Sequence, residues 1–221
     1  MEVKRFFRRK RMFNNNNPWE KDIGRIIGVA GTSKGCGSTY ISLMIANSLK
    51  RLGVKKIAWI DMRESGMSSL ISAPTDCLVT SYKKKDKEGG TGGCRYKGVD
   101  YYDYGGGDGL LEIINEPYDY IVIDFGNERD SPSKELLRCD IKILVGLSSP
   151  WKRILFERYI SSNKELMKKG KWRYIFNLTS GENAKVFRKG YKIKAINVEY
   201  EDRFDEIGGN NFEKILALLL G

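Results

Sequence analysis

A glycine-rich turn lies between the first apolar run of the chain and the first helical pattern. The turn covers residues 31–39 and reads Gly-Thr-Ser-Lys-Gly-Cys-Gly-Ser-Thr. Glycines let successive backbone N–H groups curl around an anion, and the start of the helix adds its positive dipole end. The sequence therefore predicts a phosphate-binding loop with the contact residues Ser33, Lys34, Gly35, Cys36, Gly37, Ser38 and Thr39.

The loop departs from the usual phosphate-binding motif at two positions. In the motif G-x-x-x-x-G-K-[ST], the Lys reaches the β and γ phosphates and the final hydroxyl holds Mg²⁺. Aligned on Gly37, this chain has Thr32 where the first Gly stands and Ser38 where the Lys stands. Thr39 is kept as the hydroxyl for the metal. The backbone part of the site is therefore predicted to be present and its cation to be missing.

Two later strands end in a carboxylate. Residues 56–61 end in Asp61, and residues 120–125 carry Asp124 shortly before Gly126. An acid at the end of an apolar strand beside a phosphate loop is the arrangement that orients water on Mg²⁺. We predict Thr39 and Asp124 as the Mg²⁺ residues and Asp61 as a candidate catalytic residue.

The same residues also fit purely structural roles. Gly35 and Gly37 fit a tight turn that binds nothing, because strand-turn-helix units need small residues there in any case. Asp61 and Asp124 fit solvated or capping carboxylates, and Cys36 fits a small buried filler. Both alternatives stay open at the level of sequence.

Apolar runs typical of strands alternate with helical patterns, which favours βα units and a mainly parallel sheet. We predict about seven strands, at residues 25–30, 56–61, 99–104, 120–125, 141–147, 172–178 and 192–198. The first helix has a predicted apolar face and is ended by Gly53; its apolar residues are Ile41, Met44, Ile45, Leu49 and Leu52. Further helices are predicted near residues 109–116, 132–139, 151–169, 183–189 and 210–220. The expected class is α/β, a doubly wound sheet with helices on both faces.

One domain with an appendage accounts for the length. Residues 1–22 are predicted to be a basic tail and an Asn-rich linker, and residues 23–221 an α/β domain. Residues 80–98 combine a Lys run with five glycines. Because such a segment cannot pack apolar surface, we predict a mobile loop between two βα units.

Composition excludes several kinds of chemistry. The chain has 221 residues and no His, so neither a Ser-His or Cys-His nucleophile pair nor a Cys2His2 zinc site can form. Its four Cys form no C-x-x-C pair, which fits a reducing compartment. No apolar run approaches the ~20 residues that cross a bilayer, and the N-terminus lacks the apolar stretch of a secretory signal. We expect a cytoplasmic protein.

The loop, the two acid-ended strands and Phe176-Asn177 at the end of a late strand resemble the deviant-Walker P-loop ATPases of the MinD/ParA class. The resemblance spans residues 25–220 and implies a P-loop NTPase fold, ATP and Mg²⁺ as cofactors and a homodimer. It also implies that Asn177 reads the adenine edge, while the residue type fits a turn former equally well. Arg138-Cys139-Asp140, the Ser-Pro-Trp that ends at Trp151, and Asn177-Leu178-Thr179-Ser180 are similar to TadZ/CpaE-like localisation proteins of clostridia.

Three positions depart from that class together. Ser33 stands where the class has its signature Lys, Ser38 replaces the second Lys, and Arg63 replaces the second acid of D-x-D. Since one cationic finger can be worth ~10³–10⁵ in the rate of phosphoryl transfer, hydrolysis should be weak or absent. The alternative is an active ATPase in which Lys34 is a relocated catalytic lysine.

The resemblance implies a localisation or scaffolding subunit, a pseudo-ATPase that recruits protein partners of a pilus or secretion apparatus. Residues 1–13 interleave aromatic and cationic side chains. This pattern fits peripheral binding to the cytoplasmic face of an anionic membrane, and it also fits a disordered tail that keeps the protein in solution. A third interpretation is a partition-type protein that binds DNA non-specifically, since the net charge is +11.

Overall fold

The computed structural model describes residues 25–63, 80–82, 92–103, 109–128, 130–178, 193 and 195–220. The predictions for the tail and linker at residues 1–22, for the helix at residues 183–189 and for the middle of the Lys/Gly-rich segment lie outside the described residues.

The described strands form one nine-stranded sheet. Their bounds are β1 (Arg25–Gly31), β2 (Ile57–Asp61), β3 (Thr80–Tyr82), β4 (Gly92–Tyr96), β5 (Val99–Asp103), β6 (Tyr120–Asn127), β7 (Ile141–Leu147), β8 (Trp172–Asn177) and β9 (Ala195–Val198). Their spatial order is β3-β4-β5-β2-β6-β1-β7-β8-β9. The pairs from β5 to β9 in that order are all parallel, so the seven predicted strands are the parallel part of the sheet.

The two strands that sequence reasoning missed lie in the segment predicted as a mobile loop. Strands β3 and β4 pair antiparallel with each other, and β4 pairs antiparallel with β5. Gly93 sits so close to the Tyr102 ring that a Cβ there would lie 2.7 Å from it, and Cys94 is buried. Backbone pairing and close glycine contact, rather than an apolar pattern, therefore make these residues strands, which corrects the prediction for the ends of residues 80–98.

Six helices are described: α1 (Ser38–Arg51), α2 (Gly109–Ile114), α3 (Lys134–Arg138), α4 (Pro150–Ser162), α5 (Lys164–Met167) and α6 (Gly209–Leu220). Helix α1 ends as predicted, with Gly53 at φ 87°. The single helix predicted over residues 151–169 is broken at Asn163, whose amide donates to the carbonyls of Asp130 and Tyr159. Within the described residues, no helix has both the length and the apolar character needed to cross a bilayer.

The core lies on both faces of the sheet. In β1, Ile27 and Val29 pack on the face that α1 and α6 cover, whereas Ala30 packs on the face of α3 and α4. Both faces are apolar because parallel strands with crossover helices are covered on each side. This doubly wound arrangement, as predicted, brings the carboxyl ends of β1, β2, β6 and β7 to one edge of the sheet.

Candidate functional site

The predicted phosphate loop connects β1 to α1 at that edge. The Thr32 amide still donates to the Val145 carbonyl at 3.0 Å, so the strand pairing with β7 extends into the loop. Gly35 and Gly37 then take left-handed conformations with φ 76° and φ 86°. Since α1 begins at Ser38, the first N–H groups of the helix have no intrahelical acceptor and are available to an anion.

Asn177, at the end of β8, holds the loop through a side-chain hydrogen bond. Its side chain is 2% exposed, and its Nδ2 donates to the Cys36 carbonyl at 3.1 Å. A Cβ on Gly37 would collide with the same amide group, so any side chain at residue 37 strains this contact. In this arrangement the amide of Asn177 holds the loop in shape, and its predicted role in reading a base stays a prediction.

The two predicted acids are neighbours on adjacent strands. Asp61 and Asp124 are Cα partners in the pairing of β2 with β6, and each is 1% exposed. The Asp61 Oδ1 accepts from the Arg63 amide, and the Asp124 Oδ1 accepts from the Gly126 amide, both at 2.9 Å. The topology thus brings together the two carboxylates that sequence could place only at the ends of separate strands.

Asp124 combines burial with an unsatisfied oxygen. Burial raises the pKa of its carboxyl from 3.8 to about 6, and the Thr39 hydroxyl and the Gly126 amide only partly offset that rise. Its Oδ2 makes no hydrogen bond within the described residues. A buried carboxylate oxygen beside a threonine hydroxyl is a donor set that suits Mg²⁺, which prefers oxygen ligands. Thr39 and Asp124 therefore fit the predicted metal.

Arg63 places a cation where the resemblance expects an acid. Its side chain lies over Gly126, so closely that a Cβ on Gly126 would be 2.7 Å from Nη1. Its charge lowers the pKa of Asp124, although by less than burial raises it. The residue that departs from the D-x-D pattern thus partly offsets the effect of burial on the pKa of Asp124.

The loop side chains differ sharply in exposure. Lys34 and Gly35 are exposed, whereas Ser33, Cys36 and Ser38 are buried. Burial raises the pKa of the Cys36 thiol, and its Sγ packs so closely on Gly31 that a Cβ there would clash with it. Cys36 therefore has the environment of a small packed side chain rather than of an activated thiol.

A lysine that sequence analysis did not single out touches the loop from another element. Lys152 of α4 donates from Nζ to the Lys34 carbonyl at 3.2 Å, across 118 positions of sequence. A cavity of about 510 Å³ lies beside this contact, between the loop, the end of β6 and α4. The available signal was topological: α4 follows β7, the neighbour of β1, at the edge where doubly wound sheets bind ligands.

No protein-family model and no curated protein matches the sequence. Solved structures do resemble the fold of this chain. A plasmid partition protein of Borrelia burgdorferi bound to AMPPNP is similar with TM-score 0.57 and 15% identity over 89% of this chain and 97% of that one. The MinC:MinD cell division complex of Aquifex aeolicus is similar with TM-score 0.53 and 16% identity, over 81% of this chain and 82% of that one. The pNOB8 ParA bound to nonspecific DNA is similar with TM-score 0.55 and 14% identity, over 90% of this chain and 98% of that one.

These similarities extend over most of both chains, whereas the identities are low. The loop between β1 and α1, Asp61 at the end of β2 and Asp124 within β6 lie where the sequence resemblance predicts them. The chain therefore has the doubly wound P-loop fold of the ParA and MinD ATPases.

Proposed function

We propose that the protein is a nucleotide-binding P-loop protein that hydrolyses ATP poorly and acts by recruiting partners. One observation carries the proposal. The backbone loop and the Thr39 and Asp124 side chains are arranged for phosphate and metal, while serines occupy the places of both lysines. Binding groups are thus kept in a site that has lost its catalytic cations.

Binding depends on groups that need no lysine. The N–H groups at the start of α1 hold phosphate through the backbone, and Thr39 and Asp124 would hold Mg²⁺. When bound, Mg²⁺ neutralises phosphate charge. The unsatisfied Asp124 Oδ2 supports this role, because a buried carboxylate oxygen without a partner is costly unless a ligand completes it. The structural neighbour bound to AMPPNP uses the same fold.

Weak hydrolysis follows from the loop composition. Phosphoryl transfer is accelerated mainly by positioning and by neutralising the charge of the transferred group. Ser33 and Ser38 supply no charge, and Lys34 is exposed with its carbonyl held by Lys152. We therefore expect turnover far below that of an ATPase with both lysines.

The partners we propose are proteins of a pilus or secretion apparatus on the cytoplasmic face of a membrane. The narrower resemblance to TadZ/CpaE-like proteins supports this role. Helix α4, which contacts the loop through Lys152, adds physical support, since its Trp151 and Ile154 are 72% and 53% exposed. Large exposed apolar side chains offer contact area that a partner or a second copy can cover.

Calorimetric titration tests the proposal directly. The full chain is titrated with Mg-ATP and Mg-ADP, then again with EDTA, and phosphate release is followed separately. We expect metal-dependent binding with turnover at or near background. Asp124→Asn should lose the metal dependence, whereas Asp205→Asn, a buried carboxylate far from the loop, should keep it. Absence of binding up to millimolar nucleotide would contradict the proposal, and rapid turnover would contradict its second half.

An active ATPase is the rival within the same fold, because Lys34 is exposed and lines the cavity beside the loop. In that case Lys34→Ala should abolish hydrolysis, and Asp61 should be needed as well. Unchanged hydrolysis in Lys34→Ala would remove the relocated-lysine hypothesis.

Non-specific DNA binding is the second candidate function. A basic surface favours it: Lys164, Lys168, Lys169 and Lys171 are exposed around α5 and the start of β8. A structural neighbour, pNOB8 ParA, is bound to nonspecific DNA. Phosphate contacts of this kind predict affinity that falls steeply with salt. No binding to duplex DNA at low salt would exclude this function.

A further inference from the structure

The cavity beside the phosphate loop has strongly cationic walls. Its volume is about 510 Å³, and the charged residues that line it are Lys34, Lys152, Arg158 and Asp130. Three cations face one acid, so the cavity attracts anions. Residues 33 and 34 form one wall and belong to the same loop as the backbone N–H groups.

Two buried hydroxyls in the same walls lack partners. Ser33 and Tyr159 line the cavity and are 6% and 2% exposed. Neither Ser33 Oγ nor the Tyr159 hydroxyl makes a hydrogen bond within the described residues. Burial raises the pKa of Tyr159, so its hydroxyl stays protonated at neutral pH and is able to donate. Buried donors are almost always satisfied in folded proteins, so this pair points to a missing acceptor.

Lys152 is already held in place to meet such an acceptor. Its ammonium donates to the Lys34 carbonyl at 3.2 Å, beside the position where the signature lysine is replaced by Ser33. An ammonium has three N–H donors, and this contact uses one of them. Lys152 thus brings to the loop, from α4, a positive charge that the loop sequence lacks.

We propose that this cavity binds a phosphoryl group, held by Lys152 and Arg158 and by the hydroxyls of Ser33 and Tyr159. A phosphoryl group presents three acceptor oxygens, which suits several cations and hydroxyl donors in one cavity better than a planar carboxylate with two. Its source is either the terminal phosphate of a nucleotide on the loop or a separate phosphate ligand. In the first case the proposal rests on the proposed function; in the second it does not.

Two titrations of the full chain distinguish the sources. The first compares Mg-ATP with Mg-ADP, and the second adds orthophosphate to protein saturated with Mg-ADP. If the terminal phosphate occupies the cavity, Lys152→Ala weakens ATP binding at least tenfold and leaves ADP within about twofold. If a separate phosphate does, Lys152→Ala weakens orthophosphate binding by a similar factor. Lys55→Ala, an exposed lysine in the turn before β2 that does not line the cavity, is the matched control and should change neither.

Lys152→Ala could weaken binding merely by changing the shape of the loop, and Tyr159→Phe is the variant that tests the cavity without touching that contact. It removes one unpaired hydroxyl and keeps the packed ring, so it should weaken phosphoryl binding about threefold to tenfold without lowering the melting temperature. If neither nucleotide binds, the proposed function fails, and orthophosphate titration of the free protein still tests the cavity. The proposal is overturned if Lys152→Ala and Tyr159→Phe match Lys55→Ala in every titration.

Discussion

Two buried aspartates at different ends of the sheet show how differently this fold treats the same chemical group. Asp205 lies near the start of β5, where Tyr96 donates to it at 2.8 Å and Lys97 and Arg203 pair with it at 2.7 Å and 3.1 Å. Asp124 lies at the carboxyl edge, where its Oδ2 has no hydrogen-bond partner within the described residues. The Asp205 side chain is 4% exposed and Asp124 is 1% exposed, so the two carboxylates differ in their hydrogen bonds rather than in their burial.

The pKa values of the two carboxyls move in opposite directions for this reason. Burial raises both, but at Asp205 the hydrogen bonds from Arg203, Lys97 and Tyr96 outweigh it and lower the pKa. At Asp124 burial dominates and raises the pKa to about 6. The first region is satisfied by its own side chains and contributes to stability. The second is left incomplete, which is the pattern expected of a ligand site.

The largest effect should come from Asp124→Asn. A carboxyl whose pKa is raised on folding favours the folded state when protonated, so stability falls as pH rises from about 4 to about 6 and stays lower above that range. Asparagine carries no charge and can still accept from the Gly126 amide. We expect unfolding at pH 7 to require about 2–3 kcal/mol more in the variant, with little difference near pH 4. Urea unfolding at both pH values measures it, and a less stable variant at pH 7 would contradict the comparison.

Gly37→Ala should come next, with a loss of about 2 kcal/mol from the left-handed backbone and the collision with Asn177. Gly98→Ala is the matched control near the Asp205 region, because Gly98 has φ 82° but an added Cβ meets only the flexible Lys50 side chain. It should cost about 1 kcal/mol. In a double-mutant cycle, Asn177→Ala should relieve part of the Gly37→Ala penalty. If the stability losses of the two single variants simply add in the double variant, the Asn177 amide does not clash with the added Cβ.

Asp205→Asn should lower stability at pH 7 by about 1 kcal/mol, since Lys97 and Arg203 are about half exposed and solvent screens their charges. Because the folded pKa is lowered, the wild-type advantage is present above the unfolded value near 4 and is lost as pH falls below it. Unfolding curves from pH 7 to pH 3 check the sign. A stabilised variant at neutral pH would erase the contrast with Asp124.

Arg63→Ala should have the smallest effect, below about 1 kcal/mol, because the exposed guanidinium acts on Asp124 through solvent. Removing the cation raises the pKa of Asp124 further, so the variant should be slightly less stable at pH 7. The difference should disappear in the Asp124→Asn background and shrink with added salt. An equal loss in that background would show that Arg63 acts by packing over Gly126 instead.

Strong local patterns made much of the fold predictable. Apolar strands such as residues 120–125 and the helix end at Gly53 were identified from composition and spacing alone. The pairing of β3 and β4 was missed because it depends on backbone hydrogen bonds and on Gly93 beneath Tyr102. The break at Asn163 was missed because its acceptors include the carbonyl of Asp130, which is distant in sequence.

By itself, the sequence determined which residues could hold phosphate and metal, since glycine torsions and strand-ending acids are local properties of residues 31–39, 61 and 124. It also showed that serines stand at positions 33 and 38. The tertiary structure decided the rest. It set Asp61 beside Asp124, Asn177 behind Gly37, and Lys152 against the loop. These contacts join residues up to 141 positions apart, and only the order of strands in the sheet brings them together.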